Sequence, residues 1–213
     1  AQIRKDVGFD FCNTVSDKNP IIAAPLRKTD CSLVSDGAAA LVIVDESLLA
    51  RFRRGVRFRA RSQVNDFLPM SRRDPSSFAG PQRAWQSALA QAGCKIDDLS
   101  FAEVHDCFTI AELLAYEAMG LAAAGQGRRV LDDGTVYAGG RLPVNRSGGL
   151  KAKGHPIGAT GIAMRRSAPR ASSCVRNSRK SLYFMVKRNA LPNPKNPGAA
   201  APLLECRPIK GLP

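Results

Sequence analysis

An α/β layered fold is predicted for this 213-residue chain by three features: short strand-like segments alternate with helical ones, two helices carry signals at both ends, and a glycine-rich stretch is placed to open a third. The chain is long enough to bury a core. Hydrophobic residues make up 44% of it, and no apolar run approaches the eighteen or so residues that a membrane span needs.

The first thirty residues read as loop, interrupted by Pro20 and Pro25, with order expected to begin after them. Gly37 to Val44 is small and apolar without alternation, the pattern of a strand covered on both faces or of a short buried helix, so it is expected in the core. Val56, Phe58 and Ala60 then alternate with Arg57, Arg59 and Arg61, which predicts a strand with one buried and one charged face. Residues 81–93 place Ala84, Trp85, Ala88, Leu89 and Ala92 at helical spacing between an opening proline and a closing glycine. Residues 101–105 read as a short strand. The helix after it is expected to begin with a Thr109/Glu112 capping box, to face Ile110, Leu113 and Leu114 inward, and to end near Gly120. A Gly- and Asp-rich connection, 121–149, leads to the run 151–161, which should open a further helix that breaks at or before Pro169.

Charge and cysteines narrow the function classes. The net charge is +14, but residues 1–163 carry +4 and residues 164–213 carry +10. The excess therefore lies in a tail rich in Arg, Ser and Pro that shows little periodicity. Nucleic-acid binding, which the tail and the arginines from Arg51 to Arg61 would motivate, ranks last because the remainder is balanced like an ordinary soluble domain. Six cysteines, at 12, 31, 94, 107, 174 and 206, form no CxxC pair, which argues against zinc and against a dense disulfide scaffold; no metal is expected. The N-terminus lacks the apolar core of a signal peptide and reads as a cut end.

The two histidines, His105 and His155, each fall where a strand or glycine loop meets a helix start, a place that favours anions and developing oxyanions. In HDCF, residues 105–108, His105 and Cys107 share one side of an extended segment and Asp106 turns the other way. A buried cysteine beside a satisfied histidine is the more ordinary reading of that tetrapeptide taken alone. The run 145–161, NRSGGLKAKGHPIGATG, is more specific: its glycines allow close backbone approach, and Pro156 stiffens the turn presenting His155. It fits neither a Walker loop nor a dinucleotide fingerprint.

The block SGGLKAKGHPIGATG closely resembles the signature of thiolases, and HDCF resembles the variant carried by sterol-carrier-protein-type thiolases. A third block, PLRKTDCSLVSDGAAALVIV at 25–44, resembles the segment that runs into the last strand of the thiolase N-terminal domain. The resemblance implies an incomplete thiolase-like layered fold: the end of an N-terminal domain in 1–50, most of a C-terminal βαβαβ domain in 51–164, and a divergent basic tail in 165–213 for which disorder is an open reading. It implies acyl transfer on acyl-CoA and acetyl-CoA, by Claisen condensation or thiolysis. His155 would activate the nucleophile, His105 would stand in the oxyanion position, and Cys107 would be the acid/base. Ser32, Ser147, Gly148, Gly154 and Pro156 would contact CoA. No cofactor is implied beyond the CoA thioester as substrate. Cys12, Cys31 and Cys94 do not stand in the family's nucleophile context, so the isolated chain is expected to be inactive. The alternative is a non-catalytic CoA- or lipid-binding subunit. A homodimer, or pairing with another thiolase-like or accessory chain, is expected. The expected compartment is the cytoplasm, with the peroxisome as alternative, although the terminal Gly-Leu-Pro is not a Ser-Lys-Leu signal.

Overall fold

The computed structural model describes residues 6–52, 58–67 and 69–172. Order begins earlier than expected. Helix α1 (Gly8–Asn13) is followed by a two-stranded antiparallel ladder of β1 (Ile21–Ala23) and β2 (Leu26–Arg27), with Ile21 opposite Arg27. Asn19 organises this region. It is fully buried; its amide nitrogen donates to the carbonyls of Phe11, Cys12 and Thr14, and its Oδ1 accepts from the Thr29 amide. A single buried amide tying four backbone groups together makes a loop-rich segment orderly without a helix or sheet of any length.

Helix α2 (Ala79–Ala92) matches its periodicity. It buries Ala84, Trp85, Ala88 and Ala92, and Gly93 stops it at φ 59°. The amides of Gly93 and Cys94 return to the carbonyls of Ala90 and Leu89, the paired bonds of a Schellman motif. Helix α3 (Thr109–Ala118) ends in the same way, with Gly120 at φ 80° and the amides of Gly120 and Leu121 bonded to Glu117 and Tyr116.

Its start differs from expectation. Phe108, not Thr109, is the N-cap residue and no side chain caps the helix; the Thr109 hydroxyl donates instead to Asp30, seventy-nine residues away, and Glu112 accepts from Tyr116 and Asn145. The inward face is Ala111, Ala115, Tyr116 and Ala118; Ile110 is 44% exposed and Leu113 and Leu114 are half-buried. Alanines on both α2 and α3 let the two helices approach closely.

The extended segment 99–104 lies in the core, with Leu99, Phe101, Ala102 and Val104 buried. It meets residues 142–145 in parallel through an Ala102–Val144 bridge: the Ala102 amide donates to Pro143 at 2.9 Å and the Asn145 amide to Ala102 at 2.9 Å. Parallel neighbours need a crossover of a dozen residues or more, and α3 with the short α4 (Arg129–Asp132) supplies it. Helices α5 (Gly149–Lys153) and α6 (Ile157–Ser172) close the described chain. Helix α6 continues past Pro169 and does not break there. A proline removes one amide and crowds one carbonyl, a cost of about 3 kcal/mol that bends or weakens a helix without always ending it.

Two strand expectations are corrected. Residues 37–44 form no strand, and Val42 and Ile43 are 81% and 67% exposed. An apolar strand needs neighbours on its edges and faces, and none of the described elements covers this one. The alternating arginine segment is described only from residue 58; there Ala60 is buried and Arg61 exposed, but no ladder forms, and Arg59 instead donates to the Ala92 carbonyl at the end of α2. Val56 and Arg57, and the tail beyond residue 172, lie outside the described residues.

Leu142 is completely buried between the extended segment and the helices. Leu142→Ala is expected to destabilise the fold by about 2–5 kcal/mol, the usual cost of such a cavity. Denaturant unfolding followed by the fluorescence of Trp85, the single tryptophan of the chain, measures it.

Candidate active site

The strand 101–105 delivers HDCF to the N-terminal end of α3, and Phe108 is the extended residue before the helix. The Gly-rich loop delivers His155 to the N-terminal end of α6, where the Pro156 carbonyl accepts the amides of Ala159 and Thr160. These two helix starts face each other. The rings of His105 and His155 stand 4.8 Å apart, nearly edge to face at 77°.

Residues 31–35 stitch the two motifs together. Cys31 bridges Phe108, and the Ser32 amide donates to the Cys107 carbonyl at 2.8 Å. Val34 then pairs in parallel with His155, whose amide donates to the Ser35 hydroxyl at 2.8 Å. Lys151 also donates to the Cys31 carbonyl. Ser32 and Cys107 are thus joined through backbone, and both are half-buried. Beside Pro156 an open cleft of about 390 Å³ is lined by Ser35, Gly37, Ile157 and Gly158. Pro156 and Gly37 pack so closely that a Cβ on Gly37 would stand 2.9 Å from the proline ring.

The orientation of the His155 ring follows from its partner. Thr160 Oγ1 stands 2.7 Å from His155 Nδ1 and 2.9 Å from the Pro156 carbonyl, so one ring nitrogen is held inside the loop. Nε2 is the ring nitrogen this contact leaves for chemistry. Thr160 is 4% exposed.

Gly154 precedes the histidine at φ 79°, ψ 171°, a conformation open essentially to glycine alone. Gly148 takes φ 88° at the start of α5. Ser147 is occupied within the loop. Its amide and hydroxyl donate to Glu103 at 3.0 and 2.5 Å, and Lys153 donates to the Ser147 hydroxyl at 2.6 Å and pairs with Glu103 at 3.2 Å.

A layer of carboxylates lies beneath. Burial pushes the Asp106 carboxyl up from its ordinary range, against the pull of the Leu150 amide and Lys153. Burial pushes Glu112 up as well, partly offset by hydrogen bonds from Tyr116 and Asn145; burial and Glu112 together push the Tyr116 phenol up. Asn145, at φ 50°, donates to Glu112 and accepts from the Val104 amide. Sequence reading singled out His105, Cys107, His155, Ser32, Ser147, Gly148, Gly154 and Pro156 but missed Glu103, Glu112, Asn145 and Thr160. Asn145 and Thr160 stood inside the quoted run 145–161; Glu103 and Glu112 act across more than thirty residues of chain.

This arrangement joins two histidine-bearing helix starts through an α/β crossover. The chain belongs to the thiolase family: residues 62–170 match the family described as "Thiolase C-terminal domain-like", and the fold is an incomplete α/β thiolase-like one. It is 40% identical over 145 residues to the acetyl-CoA acetyltransferase of Methanothermobacter thermautotrophicus, covering 67% of this chain and 38% of that protein. It is 35% identical over 171 residues to rabbit (Oryctolagus cuniculus) sterol carrier protein 2, covering 76% of this chain and 30% of that protein. It is also 35% identical over 146 residues to the benzoylsuccinyl-CoA thiolase subunit BbsB of Thauera aromatica, covering 67% and 38%. The chain thus spans roughly a third of the length of these relatives. A solved structure described as an Ltp2-ChsH2(DUF35) aldolase superposes with a TM-score of 0.61 at 23% identity, over 71% of this chain and 41% of that one; this likeness concerns the fold alone. Among the described residues no helix is long and apolar enough to cross a membrane, and no cluster could hold a metal ion.

A pH dependence follows from Glu112. Its folded pKa lies above its unfolded one, so as pH rises from about 4.5 the unfolded chain releases the proton first, and stability falls until the folded group has also ionised. Glu112→Gln keeps an acceptor for Tyr116 and Asn145 without the charge. It is expected to raise Tm relative to the parent at pH 7 and to leave Tm unchanged below pH 4, read from thermal unfolding across that range.

Proposed function

We propose that this chain carries the C-terminal half-site of a thiolase-type acyltransferase that works on acyl-CoA and acetyl-CoA. The observation that carries the reading is the meeting of His105 and His155 at two helix starts, with His155 Nδ1 held by Thr160. In this reading His155 takes the thiol proton of an attacking cysteine, which then displaces CoA from the acyl thioester. His105 and His155, with the helix-start amides, stabilise the oxygen that becomes negative in the tetrahedral species and in the acetyl-CoA enolate. Cys107 removes the proton from the acetyl methyl group, and the resulting carbanion attacks the acyl-enzyme. Ser32, Gly148, Gly154 and Pro156 border the CoA pantetheine, and the cleft beside Pro156 supports that placement. Ser147 contributes through the loop it braces.

The attacking cysteine is not assigned among the described residues. The thiols of Cys31 and Cys94 both turn to nearby backbone carbonyls. The reading therefore takes that cysteine from outside these residues, as from another thiolase-like chain. Residues 1–50 are assigned in the same reading to the end of an N-terminal domain. A second reading, a subunit that binds CoA or lipid without turnover, draws on the relatives called a subunit and a sterol carrier protein. The cytoplasm remains the compartment proposed for either.

Isothermal titration of CoA and acetyl-CoA into the purified chain tests this. Binding that weakens about tenfold or more in His155→Ala, the size of one hydrogen bond to a charged group, is expected. Equal binding by parent and variant contradicts the site. Thioester turnover is not expected from the chain alone, and turnover would contradict the missing nucleophile.

A further inference from the structure

We propose that Asp106 is a positioning residue that locks HDCF onto the glycine loop and thereby sets His105 against His155. The proposal rests on the reading of these histidines as facing members of one acyl-transfer site. Asp106 lies between His105 and Cys107 in sequence, and its carboxylate points away from them into the protein. It accepts the Leu150 amide through both oxygens, at 2.9 and 3.1 Å. This bond ties the HDCF tetrapeptide to the segment 148–154 that leads to His155.

The loop is shaped to receive that carboxylate. Gly149 has φ 63°, and a Cβ built there would overlap the Asp106 side chain, so any larger residue would expel it. Leu150 is itself 2% exposed, which fixes the donor in a packed position. Glu103, three residues earlier on the same strand, grips Ser147 and Lys153. Glu103 therefore holds the loop to the strand, whereas Asp106 holds it at the residue where the strand turns into the site. Because Asp106 is adjacent to His105, releasing it frees the rotation of the histidine's own peptide unit. Releasing Glu103 would not.

The two histidines are the only ones in the chain, so ring protons of histidine-labelled protein give two resolvable sets of signals. At 4.8 Å between centroids the rings give a direct cross-relaxation peak in a nuclear Overhauser spectrum. In Asp106→Ala that still folds, judged by the unchanged emission of buried Trp85, the His105–His155 peak is expected to disappear. In Asp106→Asn, which keeps an acceptor oxygen, the peak is expected to persist while the Leu150 amide proton moves upfield. A retained peak in folded Asp106→Ala overturns the proposal. If the Ala variant does not fold, the Asn variant decides, and an unmoved Leu150 amide overturns it. Titrating CoA into the same samples separates the two readings: parent protein that shows the ring contact but binds no CoA sinks the proposed function, and leaves the role of Asp106 to the spectra.

Discussion

The parallel pairing of Ala102 with Val144 is the constraint on which the rest of this structure depends. It sets two extended segments side by side and pointing the same way, so the chain leaves both at the same end. One continues into His105 and Cys107, the other into the glycine loop and His155. Two motifs about fifty residues apart in sequence are thereby delivered to one place by a single crossover. The core built by α2, α3 and the buried residues from Leu99 to Val104 keeps that pairing dry, where its hydrogen bonds cannot be exchanged for water.

Below the histidines, carboxylates take up backbone amides and polar side chains that the irregular loop would otherwise leave unpaired. Glu103 serves Ser147 and Lys153, Asp106 serves Leu150, and Glu112 serves Tyr116 and Asn145. Such groups cost desolvation, visible in the raised pKa of Asp106 and Glu112, and they persist because every member has a partner. The consequence is a loop with several positive-φ residues that nonetheless holds one conformation. Its rigidity passes to His155, whose ring Thr160 further holds through Nδ1.

What the sequence revealed was what local chemistry decides. Helices α2 and α3 were legible because their apolar spacing and closing glycines lie within a few residues of each other, and GHPIGATG was legible because its shape resides in its own glycines and proline. The stretch 37–44 was misread because its exposure depends on what lies beside it, not on its composition. The Thr109/Glu112 capping box did not form because the helix takes Phe108 as its cap residue, and the two side chains reach Asp30 and Asn145, distant in sequence. The inward face of α3 shifted to its alanines because close packing against α2 favours small residues over Ile110. Within the site both histidines were singled out by their placement before helix starts, while the carboxylates beneath them are recognised only once strand and loop are adjacent.

The central claim is that His105, Cys107 and His155 border one thioester site, and a crystal structure of the chain with CoA tests it most directly. The account predicts the pantetheine running past Ser32 and Pro156, with its sulfur within hydrogen-bonding reach of His155. CoA seated elsewhere, or histidine rings turned away from each other with the site empty at saturating CoA, would contradict it.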